Sequence, residues 1–517
     1  MAYRLNLILG DQLNRDSALF QDSEKDHDLF WMAEVISASS DTPSSKQRTA
    51  LFLSAMRHFA QSLEIEGLSL HYSTLTDGFQ NFSEALSATL KQQQISQVRC
   101  VLPGDVDVMH ELADCCQRHQ LEIEWLADNH FISRPGEFKQ WMQDRRQPRM
   151  EHWYRYLRQD RQILMDDNNE PEGGQWNFDK DNRKTFGKSG PDAVPEPVEF
   201  KADAMTQAVI RDIEQCLPDL PGEIETFNWP VTREQSLEQL QDFISKRLSQ
   251  FGDYQDAMWT EQPFLFHARL SGCLNLKLLH PLEVIEAAEQ AYRDNKAPLN
   301  AVEGFIRQIL GWREYIRGLY WYYRNDWLNY NALDCDHDLP GFYWDANTDM
   351  RCMRESISQV LTFGYGHHIQ RLMVTGLFSL LWGVKPDQIH RWYLGMYIDA
   401  VAWVEIPNTI GMSQYADGGI VGSKPYIASG AYIKRMSNYC DHCQFKPKQA
   451  SGDKACPFTT LYWSFIDKHR DLLSRNPRLG MQVRNWDNKD NDEQQAIRDR
   501  SKWLYQHLDQ SGYKEQG

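Results

Sequence analysis

The chain has 517 residues, 41% of them hydrophobic and 12% aromatic, and a formal charge of −17 at pH 7. That length exceeds one ordinary core and predicts two or three domains. The acidity excludes a general nucleic-acid binder, so any such surface is local, and no uninterrupted apolar run reaches spanning length, which excludes a membrane-embedded chain.

The elements follow in chain order. Met1-Ala-Tyr-Arg4 leads straight into a strand-like run with no leader pattern, and the expectation is a cytoplasmic protein with reduced thiols. Apolar runs predict strands at Leu5–Leu9, Leu29–Val35, Ser69–Tyr72, Val98–Leu102 and Glu122–Leu126, alternating with amphipathic segments such as Gln47–Leu63 and Val106–Arg118. This rhythm predicts an α/β domain over residues 1–130, a doubly wound parallel sheet with helices on both faces. Ligands of such sheets sit outside the carboxyl ends of the strands, which points to Gly10-Asp11-Gln12-Leu13, Glu34 and Pro103-Gly104-Asp105. Residues 131–230 are predicted as a connector with helices, whose stretch from about 165 to 200, rich in Asp, Asn, Gly and Pro, is a long loop. Over 231–517, apolar residues recur at helical spacing between Gly and Pro punctuation, which predicts a large all-α domain. Eleven of the seventeen Trp fall from Trp259 onward, so this domain carries the aromatic weight.

Within the helical part, Cys440 and Cys443 form a Cys-x-x-Cys pair and Cys456 precedes Pro457, while the other cysteines are scattered. Thiolates at that spacing suit zinc or an iron-sulfur cluster, and three small hydrophobes inside a polar loop have no packing reason to be there. His442 would point away from a centre gripped by its neighbours, which leaves Cys352 as the best fourth ligand. Phe266-His267-Ala-Arg269-Leu270-Ser271 sets a hydroxyl and a cation before an apolar helix, as in phosphate sites; a plain N-cap by Ser271 is favoured on spacing alone. Trp312, Arg313 and Glu314 occupy consecutive helix positions, so one must face inward. His367 and His368 stand side by side before Arg371. Asp399 and Glu405 lie among aromatics and need cations or a ligand there. A basic run, Arg145, Arg146, Arg149, Arg155, Arg158 and Arg161, then Lys180, Arg183, Lys184 and Lys188, offers a local phosphate-binding surface or a solvated helix face.

Taken together, the Leu-Ile-Leu-Gly-Asp-Gln-Leu13 opening, Gly311-Trp-Arg-Glu-Tyr315, His367-His-Ile-Gln-Arg-Leu-Met373, His390-Arg-Trp-Tyr393, Pro407-Asn-Thr-Ile-Gly-Met-Ser-Gln414 and Lys424-Pro-Tyr426 resemble the cryptochrome and photolyase family over nearly the whole chain. The likeness is to its iron-sulfur bacterial branch, the prokaryotic (6-4) photolyases. It implies a 4Fe-4S cluster on Cys352, Cys440, Cys443 and Cys456. It also implies FAD in the helical domain, held by Tyr254, His267, Arg269, Leu270, Ser271, Gln308, Arg313, Arg371, Asp399, Glu405 and Asn408. Arg371 and Asp399 would pair beside the isoalloxazine and Glu405 would face its N5 edge, where relatives commonly carry Asn.

The implied reaction is light-driven reversal of pyrimidine (6-4) pyrimidone lesions in UV-damaged DNA by one electron from excited reduced flavin. His368, seconded by His367, would move a proton, and Trp312, Tyr426 and Tyr432 would wall the lesion pocket. Leu372 stands where animal (6-4) enzymes carry a further histidine, so their two-histidine scheme is not carried over. Trp392, Tyr393 and Trp344 would relay electrons to the flavin. A 6,7-dimethyl-8-ribityllumazine antenna would sit near Gly10, Asp11, Gln12 and Glu34, in a chain expected to be a monomer. Two other readings stay open: a blue-light receptor of the cryptochrome type, and a light-independent, cluster-bearing DNA-binding module.

Overall fold

The computed structural model describes residues 3–324 and 327–508. Five strands, β1 Tyr3–Leu7, β2 Asp28–Ala33, β3 Leu70–Ser73, β4 Ile95–Val101 and β5 Ile123–Leu126, form one sheet in the order β3-β2-β1-β4-β5. All four pairings are parallel, as the strand–helix rhythm predicts. Side chains alternate across the sheet. Leu5, Leu7, Leu29 and Trp31 enter the core on one face, while Phe30 and Met32 enter the core on the other. Helices Phe82–Gln92 and Val106–Arg118 cover the first face; helix Lys46–Ile65 covers the second and is itself backed by helix Ala204–Cys216. The expected connector is thus part of the sheet domain's wall. Its helices Glu137–Met142 and Met150–Arg161 instead pack against the helical part, at Glu314–Tyr322 and Arg307–Arg313.

From Arg233 onward the described residues are helices and loops, built around two apolar cores. No helix among the described residues is long and apolar enough to cross a membrane. Three short π-helical stretches interrupt this part: Arg307–Arg313, Arg371–Thr375 and Pro407–Ser413. A π turn accommodates an extra residue in a helix and shifts the side chains after it around the axis, and such turns concentrate at functional sites. All three carry residues singled out from the sequence.

The two parts meet along the start of helix Lys46–Ile65. Gln47 Nε2 donates to Glu223 O and Thr362 O at 3.0 and 3.1 Å. Arg48 donates from Nε and Nη2 to Ala400 O at 3.2 and 3.0 Å, and its guanidinium lies 4.5 Å from the Phe52 ring centre. The carboxyl ends of the strands therefore face the loop that carries Asp399.

Candidate active site

The second π turn organises a recess. His367 N–H donates to Gln370 Oε1 at 3.1 Å, which starts the helical turn, and His367 is buried with its ring stacked on His267 at 4.4 Å and 13°. His368 reaches solvent although protein atoms crowd around it, so it lines the recess; that crowding, then the Arg371 cation, pushes its imidazole down to about 4. Burial and the neighbouring His368 push His267 down to about 3. All three imidazoles are neutral at pH 7, His367 by the same causes.

Arg371 pairs with Asp399 (Nη2 to Oδ1, 2.9 Å), donates from Nε to Gly366 O at 2.6 Å, and lies 3.9 Å from the centre of the Tyr397 ring. Asn275 Nδ2 holds the backbone of Asp399 through its carbonyl at 2.7 Å. From Tyr397 a continuous run of rings leads inward: Tyr393 at 5.0 Å, Trp392 at 5.5 Å from Tyr393, and Tyr343 at 5.2 Å from Trp392. Tyr393 donates its hydroxyl to Arg371 O at 2.6 Å, and Trp392 Nε1 donates to Tyr343 O at 3.0 Å. Trp344 follows Tyr343 in the short helix Phe342–Asp345 and packs, half-buried, against the same core. Trp312, Tyr426 and Tyr432 border that core as half-buried rings. Sequence reasoning missed Tyr343 and Tyr397 as members of this run; a buried Tyr in an apolar segment reads as packing.

Other candidate residues find partners of a different kind. Both oxygens of buried Glu405 are taken, one by His390 Nδ1 and one by Thr409 Oγ1. The buried acid thus has a partner the sequence did not assign. Arg269 is sandwiched between Trp229 and Phe264, 4.3 and 4.2 Å from their centres, and donates to Asn228 Oδ1 at 3.0 Å. Ser271 is not an N-cap: Leu270 holds that position, and the helix Ser271–Asn275 is five residues long. Arg313 lies 4.3 Å from the centre of the Phe131 ring and 5.1 Å from that of Trp403, on the side that meets the sheet domain. Both Arg313 and Glu314 face inward, Glu314 accepting from Ile132 N and Ser133 N at 3.0 Å each. Gln308 is exposed, Asn408 Nδ2 donates to Val404 O at 2.7 Å, and Tyr254 stacks on Phe186 of the connector at 4.5 Å.

The four cysteines from two distant stretches, Cys352 and Cys440, Cys443 and Cys456, line one small cavity with Met350, Tyr439 and Phe458. Burial, reinforced by the neighbouring thiols, pushes Cys352 well above the ordinary thiol range, and Cys440 and Cys456 up to about 12 and about 11. Such thiols ionise together only around a positive centre.

At the sheet, Gln12 Nε2 donates to Val101 O at 2.9 Å and its Oε1 accepts from Leu9 N at 3.3 Å. Glu34 accepts from Arg57 through two bonds of 2.7 Å, from Tyr72 Oη at 2.7 Å and from Leu75 N at 2.7 Å. Both side chains are engaged within the protein. Burial raises the carboxyls of Asp11, against the pull of Lys277, and of Asp105 at these loops. The basic run divides. Arg158 is fully buried and caps the carbonyls of Ile163 and Leu164, and Arg161 is bound to Glu137 at 2.9 Å; burial withdraws the first from any phosphate. Arg183 and Lys184 are exposed, though held by Asp179 and Asp253.

A (6-4) photolyase of Agrobacterium fabrum is 41% identical to this chain over 509 residues, covering 98% of the chain and 100% of that protein. The chain belongs to the (6-4) photolyase family. The sequence profile of the deoxyribodipyrimidine photo-lyase-related proteins matches residues 6–229 of this photolyase. Two solved structures share its fold at 13% identity. The bacterial class III photolyase of Agrobacterium tumefaciens has a TM-score of 0.55 with 98% of each chain covered. The Synechocystis sp. PCC6803 cryptochrome has 0.54, with 97% of this chain and 99% of the cryptochrome covered.

A photolyase is a flavoprotein, and the family implies FAD. The recess fits a bound anion with a polar ring. Arg247 is fully buried, paired to Asp242 at 2.6 Å, with Nε and Nη1 lacking any acceptor among the described residues; His267 Nε2 is likewise buried without a partner among them. Native interiors rarely leave such polar groups unpaired. Arg247 was not singled out from the sequence, where it reads as a helix-terminal cation.

Proposed function

We propose that this photolyase reverts pyrimidine (6-4) pyrimidone photoproducts in UV-damaged DNA by light-driven electron transfer. Reduced FAD, when bound, supplies one electron to the lesion on excitation. The chain supplies the rest. Arg247 presents unpaired donors and His267 an unpaired ring nitrogen to the cofactor's polar parts, and the Arg371–Asp399 pair sets a fixed dipole beside it. His368 is the proton-moving group: its ring is accessible in the recess, and Arg371 and crowding hold it neutral until the substrate's developing charge draws on it. His367, stacked on His267, orients its neighbour. Trp312, Tyr426 and Tyr432 supply ring faces against which extruded bases stack.

Trp392, Tyr393 and Trp344, joined by Tyr343 and Tyr397, relay electrons to the recess. Cys352, Cys440, Cys443 and Cys456 hold a 4Fe-4S cluster: four thiols around one cavity with a four-sulfur donor set support it. A 6,7-dimethyl-8-ribityllumazine antenna is proposed at the strand ends near Gly10 and Asp11, with Gln12 and Glu34 shaping the backbone there.

The observation that carries this reading is His368, open to solvent beside the Arg371–Asp399 pair, in a chain alike over its length to a (6-4) photolyase. Illuminating the reduced protein with an oligonucleotide bearing a single (6-4) lesion should restore the two pyrimidines, scored by chromatography. Repair of cyclobutane dimers alone, or restoration undiminished in His368→Ala, would overturn it.

A further inference from the structure

One side chain, Gln370, joins the cysteine cavity to the histidine recess. Tyr439 lines the cavity beside Cys440, and its hydroxyl accepts from Gln370 Nε2 at 3.2 Å. Gln370 Oε1 in turn accepts the backbone N–H of His367 at 3.1 Å, and that donor fixes which end of the amide carries the oxygen. A second route reaches the same amide. Helix Arg351–Phe363 brings Cys352 to the cavity in its first turn and, about two turns on, sets Gln359 against Gln370, where the two amides exchange bonds of 2.9 Å in both directions. Gln359 Nε2 also donates to Tyr365 O at 3.1 Å, in the loop that leads to His367.

Gln370 and Tyr439 are buried, and all four hydrogen-bonding positions of the Gln370 amide are filled: two donors meet its oxygen and two acceptors meet its nitrogen. A buried polar group satisfied in full rigidifies the segments it joins, whereas one left half-satisfied costs free energy. The segments joined here are specific. One is the helix with Cys352, one is the short turn Tyr439–His442 with Cys440, and one is the turn in which His368 lies between the bonded residues His367 and Gln370. An apolar side chain at position 370 would fill the space without holding these three in register. Loss of the amide therefore frees the turn that aims the His368 ring, and loss of the Tyr439 hydroxyl frees it only on the cavity side.

We propose, on the repair reading of His368, that Gln370 is a positioning residue: it ties the cysteine centre to His367, so that the aim of the His368 ring depends on that centre being intact. Tyr439→Phe removes one bond and keeps the ring that lines the cavity; Gln370→Met keeps the bulk and removes every bond of the amide. Both variants should retain iron, acid-labile sulfide and flavin. Both should shift the His368 ring resonance in protein labelled with heavy nitrogen at histidine only, a signal assigned by its loss in His368→Ala. Cys440→Ala, which depletes the cluster, should shift the same resonance in an otherwise wild-type chain and not in Gln370→Met. Turnover of the single-lesion oligonucleotide should fall roughly threefold in Tyr439→Phe and about tenfold in Gln370→Met with KM unchanged. The double variant should fall no further than Gln370→Met, because Tyr439 acts through the amide. An unmoved His368 resonance in both variants, turnover losses that multiply in the double variant, or loss of iron and flavin from both would overturn the proposal. A wild-type protein that leaves the lesion unrepaired would overturn the repair function instead, and the resonance would still decide the role of Gln370.

Discussion

Gly376→Ala tests whether the second π turn is locked as closely as the structure implies. Gly376 follows Arg371–Thr375 and opens helix Gly376–Trp382. A Cβ there would stand 2.6 Å from Arg371 O and 3.1 Å from Tyr393 Oη, with Ser413 Oγ of the third π turn closer still. The serine can rotate. The carbonyl is backbone and also accepts the Tyr393 hydroxyl at 2.6 Å, so the methyl must displace the turn that carries Arg371. Overpacking of this kind costs about 1–3 kcal/mol, and loss of the Tyr393 hydrogen bond adds about 1 kcal/mol. Removing a glycine from the unfolded chain returns up to about 1 kcal/mol, which leaves a net destabilisation of about 1–3 kcal/mol. Scanning calorimetry should show a lower melting temperature, and flavin photoreduction in blue light should slow because Tyr393 loses its anchor. Gly187→Ala, where an added Cβ meets nothing within 4 Å, is the control. Wild-type melting together with wild-type photoreduction in Gly376→Ala would refute the reasoning.

Each of Cys352→Ala, Cys440→Ala, Cys443→Ala and Cys456→Ala should lower bound iron and acid-labile sulfide, while Cys216→Ala keeps both; equal iron in all five variants would show the cavity holds no cluster. Trp392→Phe should slow flavin photoreduction at least tenfold with flavin content unchanged, read by transient absorption; a wild-type rate would remove Trp392 from the relay. Stability should fall as the pH drops from 7.5 to 6. Burial depresses His130, His267, His367, His368 and His469, so the unfolded chain binds more protons than the native one below about 6.5. Asp256, raised to about 6 by burial and by Asp179, opposes this within the window, and the carboxyls of Asp11, Asp105, Glu289 and Asp417, also raised by burial, act in the same sense as Asp256. A urea midpoint that is level or higher at pH 6 would contradict that sign.

The sheet was legible because its strands are short apolar runs bounded by turn residues, and all five, their parallel sense and helix Val106–Arg118 were read from that pattern. The cysteine quartet was legible in its Cys-x-x-Cys pair. Cys352 was chosen only as a distant thiol, and folding brings it to the same cavity. Three kinds of feature were not legible. π turns leave no trace in apolar periodicity, because one extra residue shifts the helical pattern by less than its own irregularity. A run of arginines does not reveal which one is buried, so Arg158 looked like Arg146 although it caps carbonyls in the core. Partners made across the fold, such as His390 with Glu405 or the two rings around Arg269, join residues from separate segments.

Half of the basic run is engaged within the protein, while Arg145, Arg146, Arg149, Lys180 and Lys188 are exposed and in no ion pair among the described residues. Arg155 and Arg161 are paired to carboxylates, Arg158 is buried, and Arg183 and Lys184 each carry an acid at hand. Near the half-buried Tyr426 ring, burial and then the neighbouring Arg478 cation lower the proton affinity of Lys424, which marks a positive spot beside that ring. In a chain of formal charge −17, like-charged surface around these cations weakens the attraction of undamaged DNA. A lesion changes that balance. Its bases are already poorly stacked and cost less to extrude, and on the proposed function they would gain, once out, ring faces and the His368 recess that intact DNA does not reach. Selectivity for damage then follows from weak backbone attraction as much as from the pocket itself.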